Sequence, residues 1–196
     1  MRSVEFMTEQ QPYEVVERHP GFELRRYPAH VVAEVSVRGS FQSAGSRAFS
    51  ALFGYITGRN RSAGSIATTE PAVQEVAGPQ KFAMTAPVVQ TEISTGEHVI
   101  AFVLPASMTA ETAPVPTDPQ VRIREVPERL AAATRYSGRW AEAAFRRHLT
   151  DLEAATTQVG LVPVGVARFA RFDPPLTPWF LRRNEVVQDV RRPDDA

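Results

Sequence analysis

The sequence predicts an α+β fold built from two strand-helix-strand units, with two helices packed on a curved sheet or barrel. Three observations carry this expectation. The chain overlays on itself without a gap, Pro28 on Pro127, Gly39 on Gly138 and Phe41 on Trp140, at a constant offset of 99 residues. Within each copy the hydrophobic spacing changes from period two to helical spacing directly after the glycine. With 196 residues the chain can bury a sizeable core, and with no cysteine it must do so without disulfides.

Taken in order, Phe22 to Tyr27 reads as an alternating strand closed by Pro28, and its counterpart runs from Val121 to Val126 before Pro127. A second alternating segment follows in each copy, Val31, Ala33, Val35 and Val37 against Leu130, Ala132, Thr134 and Tyr136. After the glycine turns, Phe41, Ala44, Ala48, Phe49, Leu52, Phe53 and Ile56 form one helical stripe, and Trp140, Ala144, Phe145, His148, Leu149 and Leu152 form the other. Gly58 and Gly160 stand where a helix C-terminus favours glycine. Further strands are expected over 82–91 and 99–104 in the first half, and over 166–172 and 185–190 in the second. The Pro-rich connector Ala113 to Pro119 tethers the halves, and Ser62 to Gly78 reads as a polar loop. The resulting map is one domain over 12–190, with repeats at about 12–112 and 120–190, and tails at 1–11 and 191–196.

Composition excludes several classes. A formal net charge of +0 gives no field that would draw the chain to nucleic acid or an anionic membrane. The absence of cysteine removes thiolate zinc, iron-sulfur clusters, a cysteine nucleophile and covalent c-type haem. The start carries Glu5 and Glu9 where a secretory signal would be apolar, so the expected location is cytoplasmic. The apolar run from His98 to Leu104 is far shorter than the roughly 18 to 20 residues of a spanning helix. Lys81 is the only lysine, so every other member of the 22 Lys+Arg residues is arginine, whose planar fork suits carboxylates. No nucleophile elbow, phosphate-cradling loop or metal-spaced histidine pair occurs, so no enzyme is expected.

Several stretches resemble the SOUL haem-binding family: Tyr13 to Arg18 with Phe22 to Pro28, Lys81 to Val88, Phe102 to Pro105, Val121 to Arg124, Ser137 to Trp140, Phe172 to Pro175, and Pro178 to Val186. The resemblance runs from about Tyr13 to Val190. It implies a twisted eight-stranded barrel flanked by two helices. It also implies reversible, non-covalent binding of haem or another porphyrin, in an apolar cleft beside the first helix and the Pro-rich loop of the second half. The partner is then a small tetrapyrrole, with no nucleic acid, no membrane and no protein partner indicated. An effector-binding module of the same fold, or a haem- or small-molecule-processing enzyme using Glu23, Glu34 or Tyr136, is the alternative.

A tetrapyrrole needs a flat slot, cations for its carboxylates and, optionally, an axial ligand. A few hundred Å² of buried apolar surface supplies roughly 5 to 10 kcal/mol before association costs. Ala44, Ala48 and Ala51, with Gly45, leave room for a ring beside the first helix, although close helix-sheet packing wants the same small residues. Met84, Leu176, Trp179 and Phe180 could form the opposite wall. Arg47, Arg182 and Arg183 are the candidate carboxylate partners. The parallel position Arg146 points to a scaffolding role for Arg47. For an axial ligand the candidates are His148 and His30, with Tyr55 and Met84 as weaker ones. His19 and His98 read as surface residues in turns.

Overall fold

The computed structural model describes residues 10–63, 78–82, 85–174 and 176–194. The main strands of the first half are β1 (Glu14–His19), β2 (Phe22–Tyr27), β3 (His30–Arg38), β5 (Thr85–Ser94) and β6 (Glu97–Val103), with helix α1 (Phe41–Ile56) between β3 and β5. The second half holds β8 (Arg122–Val126), β9 (Arg129–Tyr136), helix α2 (Glu142–Gln158), β11 (Arg168–Arg171) and β12 (Asn184–Arg191). Three two-residue strands complete the set: β4 (Asn60–Arg61), β7 (Val115–Pro116) and β10 (Val162–Pro163).

The glycines predicted to turn chain into helix lie where an L side chain is strained, Gly39 at φ +149° and Gly138 at φ +140°. Ser40 caps α1, its hydroxyl accepting from Ser43 N at 3.3 Å. α2 has no side-chain cap; Glu142 in its first turn complements the helix dipole and pairs with Arg146 one turn on.

The large sheet is antiparallel throughout, ordered β1-β2-β9-β12-β11-β5-β6-β3-β8, with β10 pairing on β12. It does not close into a barrel, which corrects that expectation. Its terminal strands read EVVERH and RIREV, and their charged side chains, Glu14, Glu17, Arg18, Arg122 and Glu125 among them, are exposed. Charged edges left to water resist pairing, so the sheet stays open.

Period-two alternation divides every long strand between two faces. One face takes both helices. Ala44, Ala48, Leu52 and Tyr55 of α1 pack on Val31, Ala33, Val35, Ile100 and Phe102. Phe145 and Leu152 of α2 pack on Leu24, Ala132, Phe169 and Val186. Phe41 joins the two layers, its ring 5.6 Å from Phe145 and 5.4 Å from Phe169. Two predicted stripe residues depart from this pattern: Phe49 and Phe53 point outward from α1, stacked on each other at 5.3 Å. Trp140 precedes α2 rather than riding on it.

The connector is fastened from below by Tyr55, whose buried hydroxyl donates to Pro114 O at 2.8 Å. Asn60 fastens the segment after α1. Its amide donates to Tyr55 O and Gln80 O at 2.6 and 2.8 Å and accepts from Gln80 N at 2.9 Å. Asn60→Ala strips three hydrogen bonds from a buried position at once, so a loss of about 1 to 3 kcal/mol is expected in urea unfolding.

Candidate functional site

The face opposite the helices is concave and encloses a cavity of about 310 Å³. Alternation alone builds its walls. Val32, Ala101, Val103 and Val126, with Val89, form an apolar cluster on one side; Tyr27, Ala170 and Val187, with Tyr13 and Phe172, form another on the other side. Residues of the same strands one position away face α1 or α2, so the helix packing and the cavity share a single sheet of backbone.

At the floor lies Glu185, fully buried on β12. Arg25 meets it with Nη1 at 2.7 Å and Nη2 at 3.3 Å, and Arg183 with Nε at 3.0 Å and Nη2 at 2.7 Å. Both guanidiniums are also stacked on rings, Arg25 4.1 Å from the Tyr13 centroid and Arg183 3.8 Å from that of Phe172. Burial alone would lower the Arg25 pKa, but the bonds to Glu185 and Tyr27 reverse this and raise it. Burial raises the Tyr27 phenol, with Arg25 opposing. Glu185 is thus an acceptor already saturated by protein donors.

Nearer the solvent, Arg129 and Arg168 share one carboxylate, that of Asp189, at 2.6 and 2.7 Å. Two guanidiniums on one carboxylate leave a positive charge over at the cavity wall. Arg124 stands beside them, paired with Glu34 at 2.9 Å. His30 completes this end. Its Nδ1 donates to Pro28 O at 2.9 Å, which fixes the tautomer and leaves Nε2 an acceptor, here for the Gln11 amide at 3.0 Å. Burial lowers the His30 pKa, the Pro28 carbonyl opposes this, and Arg168, Arg124 and Arg129 lower it further.

His148 is also lowered, by burial and by Arg147. A histidine with a depressed folded-state pKa binds fewer protons folded than unfolded, so its stabilising share is complete above the ordinary value of 6.5 and lost as pH falls through the folded value. The melting temperature is therefore expected to drop as pH is lowered from 7 through 6, and to drop less in the double variant His30→Gln/His148→Gln. Equal profiles for the two proteins would contradict the assignment.

The predicted site residues fall in several places. Ala44, Ala48 and Ala51 are buried against the sheet with Tyr55, in the close helix-sheet packing that was the other use for small residues. Arg47 is exposed and donates to Arg38 O at 2.9 Å, while the parallel Arg146 binds Glu92 and Glu142. Leu176 is 96% exposed and Trp179 half exposed; Met84 lies outside the described residues. Arg182 donates to Thr177 O and Arg183 to Glu185. His148 is half-buried, its ring 4.0 Å from that of Tyr136. His98, expected at the surface, is instead 1% exposed, with Nε2 3.2 Å from Gly39 O, because its strand starts under the β3–α1 turn. Glu23 pairs with Arg25 and Arg18, Glu34 pairs with Arg124, and Tyr136 lies on the helix face, so the three enzyme candidates do not converge.

Glu185, Asp189, Arg25, Arg129 and Arg168 were not anticipated. The available signal was two acids, Glu185 and Asp189, in the run Asn184 to Val190, the part of β12 that is buried throughout.

Among the described residues no helix is long and apolar enough to cross a membrane, and no group of three His, Cys, Asp or Glu is placed to hold a metal ion. No curated protein sequence matches the chain. Among solved structures, the C-terminal domain of EcmrR is similar over 92% of this chain and 98% of its own, with a TM-score of 0.60 and 10% identity. A hydrolase from Listeria innocua is similar over 95% of both chains, with a TM-score of 0.53 and 11% identity. At such identities the likeness concerns the fold: a mostly antiparallel sheet with two helices. The SOUL heme-binding protein model matches residues 8–189, nearly the whole chain, and the protein belongs to that family.

Proposed function

We propose that this protein reversibly binds haem or a related tetrapyrrole in the cavity on the helix-free face, as a cytoplasmic carrier, buffer or sensor and not as an enzyme. The observation that supports this placement most is the combination on one concave surface of apolar and aromatic walls, a surplus guanidinium charge at Arg129 and Arg168, and a neutral imidazole at His30. Family membership supports the ligand class. The volume lies at the small end of the roughly 300 to 1,000 Å³ of ligand pockets, so a macrocycle would be enclosed in part, its carboxylate edge toward the half-exposed Arg129 and Arg124.

The residues fit the group in kind. Val32, Val89, Ala101, Val103 and Val187 would exclude water from its faces, Arg168 and Arg129 would hold a carboxylate, and His30 would present Nε2 to the centre once Gln11 turns aside. A bound haem would supply an iron open to axial ligation. Because Glu185 is occupied by Arg25 and Arg183, it has no free valence to compensate a cationic drug. This favours an anionic over a cationic ligand.

The cleft beside α1 is the alternative location, favoured by the exposed Phe49, Phe53, Trp179 and Phe180. Titration of haemin into the purified protein tests the ligand class. A saturable Soret shift is expected, and a response that stays linear with added haemin would reject it.

A further inference from the structure

We propose that the seam between α1, α2 and the end of β11 binds a small oxyanion, a carboxylate or phosphate, on Arg171, Tyr136 and Trp140. This site is on the helix face of the sheet, opposite the cavity, and does not depend on the tetrapyrrole reading.

Arg171 ends β11 and shares the parity of Phe169, which faces the helices. Its guanidinium lies against Gly45 of α1, where even a Cβ would come within 2.6 Å of Nη1. It sits 5.0 Å from the Phe169 ring and 5.3 Å from the Trp140 ring. Nη2 donates to Gln90 Oε1, and Gln90 is itself held by donating to Phe41 O at 2.9 Å. The Arg171 Nε is buried without a partner, and among the described residues no carboxylate forms an ion pair with it, in contrast to Arg25, Arg124, Arg129, Arg168 and Arg183.

Two more donors nearby share this condition. The Tyr136 hydroxyl is buried with no hydrogen-bond partner, in a residue only 8% exposed, and so is the Trp140 indole N–H. The Tyr136 ring is stacked 6.4 Å from that of Phe169, so the phenol and the guanidinium share one phenylalanine, and the indole lies against the guanidinium. A second guanidinium, that of Arg182, lies 4.4 Å from the centroid of the Trp140 ring. Buried donors without acceptors cost stability, and a buried cation without a counter-charge costs more. The acceptors beside them are neutral amide oxygens, Gln90 Oε1, which Arg171 already uses, and Asn184 Oδ1, cross-strand from both Arg171 and Tyr136; three donors with a positive charge and no carboxylate therefore favour a ligand carrying negative charge. Burial pushes Arg171 down to about 10, a penalty that an adjacent anion would relieve. Arg171 is not sealed: it is only partly buried.

The test uses Trp179→Phe, which leaves Trp140 as the single indole of a chain with two tryptophans. Sodium phosphate and sodium acetate are titrated separately at constant ionic strength held with sodium chloride. Saturable change in Trp140 fluorescence with one of them, accompanied by a rise in melting temperature, is expected, and which salt acts distinguishes phosphate from carboxylate. Arg171→Gln is expected to abolish the response. Tyr136→Phe, which removes one oxygen and keeps the ring, is expected to raise the melting temperature without added anion and to weaken anion affinity about tenfold. The proposal is overturned if neither salt gives a saturable change, if chloride alone gives the same change, or if the Tyr136→Phe protein responds as strongly as its parent.

Discussion

Ala101→Trp is expected to abolish the saturable haemin response, while Trp179→Ala retains it. Ala101 is a small, buried residue on β6 whose side chain faces the cavity, flanked across the sheet by Val89 and Glu34. An indole there would occupy much of an opening of about 310 Å³. Excluding a ligand that buries a few hundred Å² forfeits roughly 5 to 10 kcal/mol of apolar contact, enough to move binding out of the measurable range. Trp179 is half exposed and does not line the cavity, its ring 5.7 Å from that of Phe180 and 5.6 Å from the Arg139 guanidinium. The reverse outcome, loss in Trp179→Ala and retention in Ala101→Trp, would move the site to the cleft beside α1. Native-like circular dichroism is the control, since overpacking a sheet costs about 1 to 3 kcal/mol.

Glu185→Gln is expected to be the most destabilising single substitution in the sheet. The change keeps shape and removes only charge, leaving Arg183 without its carboxylate and Arg25 (4% side-chain exposure) with Glu23 alone. Breaking a buried pair in this way costs about 3 to 5 kcal/mol. For a domain of this size that is a fall of roughly 6 to 20 °C in melting temperature. Arg25→Met combined with Glu185→Leu should recover part of the loss, because an apolar pair of similar volume replaces the most buried charges and only Arg183, with 17% side-chain exposure, is left without its carboxylate. A double variant no better than Glu185→Gln would show that the network does more than neutralise itself.

The helices, the long strands and the turns were legible because each is a local pattern. Phe41 to Ile56 and the alternation of Val31 to Val37 state their own periods, and Gly39 and Gly138 mark conformations that only glycine adopts easily. The open sheet was less legible, since closure depends on whether β1 and β8 meet, and no local pattern records that. The same applies to the cavity. Helical spacing drew attention to the small residues of α1, yet Ala44 and Ala48 are small because β3 and β6 approach closely. His30, Val32 and Glu34 were read as the polar side of a strand. A polar side that curls over itself becomes a pocket, and curvature arises from strands far apart in sequence, such as β2 pairing with β9 and β3 with β8. Arg171 escaped notice because an unanswered arginine is defined by the partners it lacks.

One sheet of backbone separates the cavity from the helices, and this bears on how the molecule can change. On β12, Glu185, Val187 and Asp189 look one way, and Val186 and Val190 the other; on β6, Val99, Ala101 and Val103 are divided from Ile100 and Phe102. Alternate letters of the same strands therefore belong to separate traits. Mutation can drift along one set, altering which molecules are received, while the intervening set preserves the scaffold, so descendants of such a chain can acquire new ligands without passing through an unfolded ancestor.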